Sequence, residues 1–212
     1  MLCPSRRPGL TAAKGNATML SKSVEEPQKG PNMNASQELT IRPASIDELE
    51  EIVAFYYDII DHQDEKEFGA DWTKDVYPSR QDFRTALENG EMHIGTAEGR
   101  IACGVILSGD DDIYKDVLWP TDVAPEEVGV MHLLAVHDDF AGRGFAKKLV
   151  AYSADVCRRL GKKAIRLDVI KGNLPAENLY LSCGFGFVAE QKIYYEDTGF
   201  ADFRMFEMDL TR

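Results

Sequence analysis

Apolar positions along this chain change period several times, and each change marks an element. Leu49, Ile52, Val53, Tyr56, Ile59 and Ile60 recur at three- and four-residue intervals, the spacing of one helical face. Ser45 followed by Glu48 forms a capping box ahead of that run, so a helix is predicted to end near His62. A short β-like stretch, residues 39–42, precedes it. Pro78-Ser79 opens a second helix, with Ser79 as cap and Asp82 in the first turn, closed by Gly90. Met92–Ala97 and residues 101–107 then read as two strands about a Glu98-Gly99 turn. Val128–Val136 is almost wholly apolar, the signature of a central strand. Residues 144–160 return to helical spacing and stop at Gly161. Ala164–Ile170 is a strand; Asn173 caps a short helix reaching Cys183 and ended by Gly184; residues 187–195 and 203–210 are strands joined by a turn around Thr198-Gly199. The predicted order is βααβββαβαββ. It makes an α/β (α+β) fold, a mixed sheet flanked by helices, with a parallel strand pair around the 144–160 helix.

Composition separates the first 38 residues from this pattern. They hold four of the nine prolines and no aromatic residue, and they lack apolar periodicity, so they bury too little surface to offset their ordering entropy. A disordered tail (1–38) and one folded domain (39–212) are expected. The whole chain has 212 residues and a formal charge of −12. The tail is slightly basic at +2, which leaves −14 on the domain. So acidic a domain is a poor match for a phosphate backbone, and no nucleic acid is expected as partner. No apolar run approaches the roughly 20 residues of a membrane helix, and no membrane partner is expected. The four cysteines are scattered and form no CxxC pair, which fits a reducing compartment, taken as cytoplasmic. Residues 1–24 also resemble an organelle transit peptide, in carrying Arg6 and Arg7 and no acid. A plain tail, or a start at Met19 or Met33, remains open beside that reading.

The most informative stretch joins the apolar strand to the long helix: His132-Leu-Leu-Ala-Val136-His-Asp-Asp-Phe140-Ala-Gly142-Arg-Gly144-Phe-Ala146-Lys-Lys. Glycines permit left-handed backbone and close approach of a ligand. The first amides of the helix lack intrahelical partners and carry the positive end of the dipole, so turn and helix together suit a phosphate. Arg143, Lys147 and Lys148 add positive charge in an acidic protein. Two phosphate loops are excluded by residue type. A P-loop needs Lys after its last glycine, where Phe145 stands, and a GxGxxG fingerprint from Gly142 needs glycine where Lys147 stands. Alone, the GxG would fit a plain chain reversal equally well.

The strand, this turn, the helix, the next strand and the run Asn173-x-x-Ala176-x-x-x-Tyr180-x-x-x-Gly184-Phe185 together resemble the GNAT superfamily of N-acetyltransferases. The resemblance extends over nearly all of residues 39–212. It implies an acyltransferase moving an acetyl group from acetyl-CoA, as co-substrate, to a primary amine by direct attack in a ternary complex. It implies that Ala141, Gly142, Arg143, Gly144, Phe145, Ala146 and Lys147 bind the pyrophosphate, and that the backbone of Leu134, Ala135 and Val136 pairs with the pantetheine arm as an added strand would. The family carries Gln or Arg where Ala141 stands, so one side-chain contact to phosphate is missing. Asn173 corresponds to a residue beside the cofactor arm, and equally reads as a helix cap. Tyr180 corresponds to the tyrosine that protonates the departing thiolate; a core tyrosine on an amphipathic helix is the plain alternative.

Attack by a neutral amine on a thioester needs a backbone amide for the oxyanion, assigned to the Val136 region, and a base for the ammonium proton. His132 occupies the strand position where many family members have a glutamate, and an imidazole with a reference pKa of about 6.5 suits that task; a packed histidine is the alternative. His137, after the strand, reads as loop structure, His62 and His93 show no ligand spacing with other histidines or cysteines, and no metal is expected. The loop after the first helix gathers Asp61, Asp64, Glu65, Glu67, Asp71 and Asp75 with Trp72 and Tyr77. The resemblance implies that it lies near the acceptor, a small cationic amine or a peptide or protein amine, with Trp72 and Tyr77 as binding residues; a solvated loop is the alternative. The protein is expected as a monomer or homodimer. A non-catalytic acyl-CoA-binding or interaction module on the same fold is the rival reading, and a histone-type acetyltransferase a third.

Overall fold

A computed structural model describes residues 38–63, 68, 72–109, 112–195 and 199–212. The tail through residue 37, and Asp64, Glu65, Glu67, Asp71 and Thr198, lie outside the described residues. The elements follow the predicted order: β1 (Thr40–Pro43), α1 (Leu49–Asp61), α2 (Arg80–Glu88), β2 (Met92–Ala97), β3 (Arg100–Ser108), β4 (Val128–Val136), α3 (Phe145–Arg159), β5 (Ala164–Ile170), α4 (Leu174–Ser182), β6 (Gly186–Tyr195) and β7 (Gly199–Asp209).

Seven strands form one sheet in the order β1-β2-β3-β4-β5-β7-β6. Neighbours are antiparallel except β4 and β5, the parallel pair expected on either side of α3. That pair meets over only three positions, Val128 to Val130 against Ala164 to Arg166. Beyond them β4 stays on β3 as far as Val136, while β5 stays on β7 as far as Ile170.

Each face of the sheet is covered by helices. The spacing of α1 buries Leu49, Ile52, Phe55, Tyr56 and Ile60, and α2 adds Phe83, Ala86 and Leu87 against Met92, Ile94, Ile101, Ile106, Leu133 and Ala135. Burial of each such large side chain contributes roughly 1.5–3 kcal/mol. On the opposite face α3 supplies Leu149, Val150, Ala154 and Cys157, and α4 supplies Tyr180, over Cys103, Val105, Met131, Ile165, Leu167 and Phe206. The buried thiols are inert: burial pushes Cys103 up to about 12 and Cys157 up to about 11.

Two elements differ in detail from expectation. Ser45 and Glu48 cap a 3-10 turn, Ile46–Glu48, that leads into α1. Glu48 accepts from the Ser45 backbone N–H at 2.9 Å and also takes both Arg42 nitrogens, at 2.8 and 2.6 Å, so it ties β1 to the helix start. The Arg42 hydrogen bonds hold its carboxyl at about 2, well below the usual range. The last strand begins at Gly199 rather than 203, because Phe200, Ala201 and Asp202 already pair with Tyr194, Ile193 and Lys192.

Candidate active site

The early end of the β4–β5 ladder makes the site. A cavity of about 130 Å³ lies where the two strands stop pairing. Its wall takes Met131, His132, Leu133 and Leu134 from β4, Asp168, Val169 and Ile170 from β5, Asn173, Ala176 and Tyr180 from the start and body of α4, and Phe203 from β7. Trp72 and Tyr77 close it from the loop after α1. Five side chains singled out in the sequence for different reasons, Trp72, Tyr77, His132, Asn173 and Tyr180, thus share one cavity.

Tyr180 is 7% exposed, with its ring edge-on to Phe185 at 5.5 Å and tilted over Phe206 at 6.4 Å. Burial, reinforced by the Asp168 carboxylate and Cys183, pushes its hydroxyl well above the ordinary tyrosine range. It therefore stays protonated at neutral pH, the form a proton donor needs. Asn173 is the cap of α4: its Oδ1 accepts from the Ala176 N–H at 3.2 Å. The same side chain borders the cavity, so the two readings of this residue are compatible.

Asp168 was not singled out in the sequence. It is a carboxylate in the cavity wall whose Oδ1 accepts from the Tyr114 hydroxyl, itself buried at 1% exposure. The available signal was an acid in the middle of a strand whose other residues, Arg166 apart, are apolar, since a charge there needs a partner or a ligand.

β4 is irregular within the cavity wall. Leu133 and Leu134 together stand opposite Val105 alone, because Gly104 pairs with Ala135 and Ile106 with His132. This is a β-bulge, and Leu133 adopts φ +52°, a left-handed conformation that costs a non-glycine residue roughly 1–2 kcal/mol. The bulge resets the alternation: Met131, Leu134 and Val136 pack toward α3, and Leu133 and Ala135 toward α1. The distortion lies three residues before Val136, to which the sequence had assigned the amide for the oxyanion.

The glycine turn begins where β4 ends. A 3-10 turn, Asp138–Phe140, leads to Ala141, then Gly142 at φ +73° and Gly144 at φ +75°. A Cβ at either glycine would meet nothing within 4 Å, so conformation, not crowding, calls for glycine there. Gly144 is the N-cap of α3; no side chain caps the helix and no acid lies in its first turn. Phe145 is buried, packed on Phe140 with ring centroids 5.8 Å apart, so only its backbone is placed to meet a ligand. Lys147 and Lys148 form no ion pair among the described residues.

The turn is not as positive as its composition suggests. Arg143 donates to Glu98 at 2.6 Å and Arg100 to Asp139 at 2.5 Å, both guanidinium groups lying over the Phe140 ring, at 4.9 and 4.7 Å. The Arg100 bond holds the Asp139 carboxyl below its usual range. These pairs fasten the turn to the β2–β3 hairpin. His137 adds a third tie: its Nδ1 accepts from the Asp139 N–H, and Nε2 meets Asp58 of α1 at 2.8 Å.

Residues 48–185, about two thirds of the chain, match the Acetyltransferase (GNAT) family, and the protein belongs to that family. A relative from Bacillus subtilis, named "Putative ribosomal protein bS18-alanine N-acetyltransferase", is 26% identical over 147 residues, covering 66% of this chain and 83% of its own. Two solved structures share the fold. The Salmonella typhimurium protein yncA, solved with its cofactor acetyl-CoA, superposes with a TM-score of 0.63 at 18% identity, over 83% of this chain and 96% of that one. A ribosomal-protein-alanine N-acetyltransferase from Brucella melitensis gives 0.61 at 16% identity, over 80% and 99%. Among the described residues no group of three or more His, Cys, Asp or Glu side chains is arranged to hold a metal, and no helix is long and apolar enough to cross a membrane.

Proposed function

We propose that this protein transfers the acetyl group of acetyl-CoA to a primary amine by direct attack in a ternary complex, with residues 39–212 as the catalytic domain. The observation that carries the reading is the continuity of two features on one strand. The cavity bearing His132, Asp168 and Tyr180 lies at the middle of β4, and the glycine turn with an uncapped helix start lies at its end.

Residues Ala141 to Lys147 receive the pyrophosphate through backbone amides, and the unpaired edge of β4 at Leu134, Ala135 and Val136 receives the pantetheine arm by strand addition. The thioester carbonyl then falls beside the β4 bulge, where a backbone amide stabilises developing negative charge. Asp168, with Trp72 and Tyr77, attracts an ammonium group to the cavity, and His132 takes its proton. Tyr180 donates a proton to the leaving thiolate. Asn173 lies beside the arm. The acceptor is a small cationic amine or a peptide or protein amine. The names of the relatives favour the second, through an N-terminal alanine.

Incubation of the purified protein with acetyl-CoA and a panel of polyamines and Ala-initiated peptides, with free thiol as readout, tests this. Thiol release that depends on one class of amine is the expected result. Calorimetry showing no binding of acetyl-CoA would refute it, and binding without turnover on any amine would favour a non-catalytic acyl-CoA-binding module.

A further inference from the structure

Tyr56 belongs to α1, outside every site feature described above, yet its side chain acts on the cavity wall. It is fully buried, at 0% exposure, and its hydroxyl donates to the carbonyl of Leu133 at 2.7 Å. That carbonyl belongs to the residue with left-handed φ at the centre of the β4 bulge. A second feature is fitted to the same hydroxyl. On β3, Gly104 lies beside the bulge, paired with Ala135, and a Cβ there would come within 2.7 Å of the Tyr56 oxygen. The Tyr56 ring is itself fixed by Phe55 edge-on at 4.9 Å, Phe83 at 4.7 Å and Trp72 at 5.9 Å. Trp72 is one of the residues that close the cavity.

We propose that Tyr56 is a positioning residue: its hydroxyl, seated in the space left by Gly104, holds the Leu133 carbonyl away from β3 and so fixes the bulge that presents the β4 backbone to the reacting group. A bulge with a non-glycine residue at positive φ is strained and needs a partner for the carbonyl it turns out of the ladder. No competing acceptor for the hydroxyl is required, because the bond to Leu133 satisfies it. Burial also raises the hydroxyl well above the ordinary tyrosine range, so it keeps the proton it donates at neutral pH. The catalytic consequence rests on the acyl-transfer reading above; the conformational one does not.

Tyr56→Phe removes only the hydroxyl. At saturating acetyl-CoA it is expected to lower kcat about tenfold, the scale of a sub-ångström misplacement, with the acetyl-CoA KM kept within about twofold and the shape of the pH–rate profile unchanged. Amide exchange at Leu133 to Ala135 should quicken about tenfold while α3 keeps its protection. Gly104→Ala should impair the wild type in the same way and have a smaller effect in the Tyr56→Phe background, where the oxygen at 2.7 Å is gone and the tight contacts left are Met92 Cε at 3.1 Å and the ring carbon at 3.3 Å. Unchanged exchange at Leu133 to Ala135 in Tyr56→Phe, or an equal effect of Gly104→Ala in both backgrounds, overturns the inference. So does a kcat loss matched by loss of acetyl-CoA affinity. Absence of turnover in the wild type would sink the acyl-transfer reading, while faster exchange confined to the bulge would still uphold the role of Tyr56.

Discussion

Arg143, the residue between the two left-handed glycines, spends its charge on Glu98 at the tip of the β2–β3 hairpin, forty-five positions earlier in the chain. Both side chains are more than one third exposed, so the pair contributes at most about 1 kcal/mol to stability. Its weight lies in ligand binding, since an anion at the turn competes with Glu98 for the same guanidinium. Glu98→Gln should therefore tighten CoA binding about threefold at low salt, with the gain shrinking as salt screens the site. Calorimetry that gives one Kd for both proteins would place Arg143 away from the phosphates.

Gly144 takes φ +75° in open space, so any side chain there is a backbone problem alone. Gly144→Val is expected to cost roughly 1–2 kcal/mol of stability and to raise the acetyl-CoA KM at least tenfold, as the helix start shifts. A lowered Tm with an unaltered KM would move the phosphate site elsewhere.

Tyr180→Phe leaves the packing on Phe185 and Phe206 in place and removes the proton donor. We expect kcat to fall about 100-fold with little change in either KM. Because burial raises the hydroxyl above its ordinary range, the donor is present below that raised pKa and is lost only as pH climbs through it. The wild-type rate should accordingly show no alkaline decline assignable to Tyr180 below pH 10. A decline near neutrality that disappears in Tyr180→Phe would contradict this.

His93 offers a stability test away from the site. It is buried at 5% exposure with Nδ1 at 3.0 Å from the Tyr152 hydroxyl, and burial, aided by Arg159, holds its pKa below 6.5. The unfolded chain then binds the proton more tightly than the folded one. Stability is fully present above pH 6.5 and is lost as pH falls from there through the lowered value. His93→Gln, which has no ring to protonate, should flatten that part of the stability curve; parallel curves for the two proteins would exclude His93 as the source.

Much of the fold was legible because its helices and most strands have clean periods bounded by caps and glycines. Val128–Val136 shows where legibility stops. With nearly every residue apolar, a shift of alternation at Leu133 leaves no trace in residue type, so the bulge became visible only through its register against Gly104 and Ile106. The turn was found, but its electrostatics were misjudged. Arg143 and Arg100 meet Glu98 and Asp139 across the fold, and such pairings depend on which strands become neighbours. Asp168 was missed for the opposite reason: its strand, Ala164–Ile170, is apolar but for Arg166 and Asp168, and the strand was read rather than the charges within it.

The three rungs that join β4 to β5 carry a consequence for how this family member could acquire new acceptors. The angle of the wedge beyond them is set by what packs underneath, where Met131 and Leu134 from one strand and Leu167 and Val169 from the other share a core with α3 and α4. Width at the mouth is thus governed by volume at the hinge. A change of one methylene at Leu167, which is not part of the cavity wall, is expected to adjust the aperture much as a shim adjusts a door, so that selectivity would drift through the hydrophobic interior while the residues of the wall stay the same.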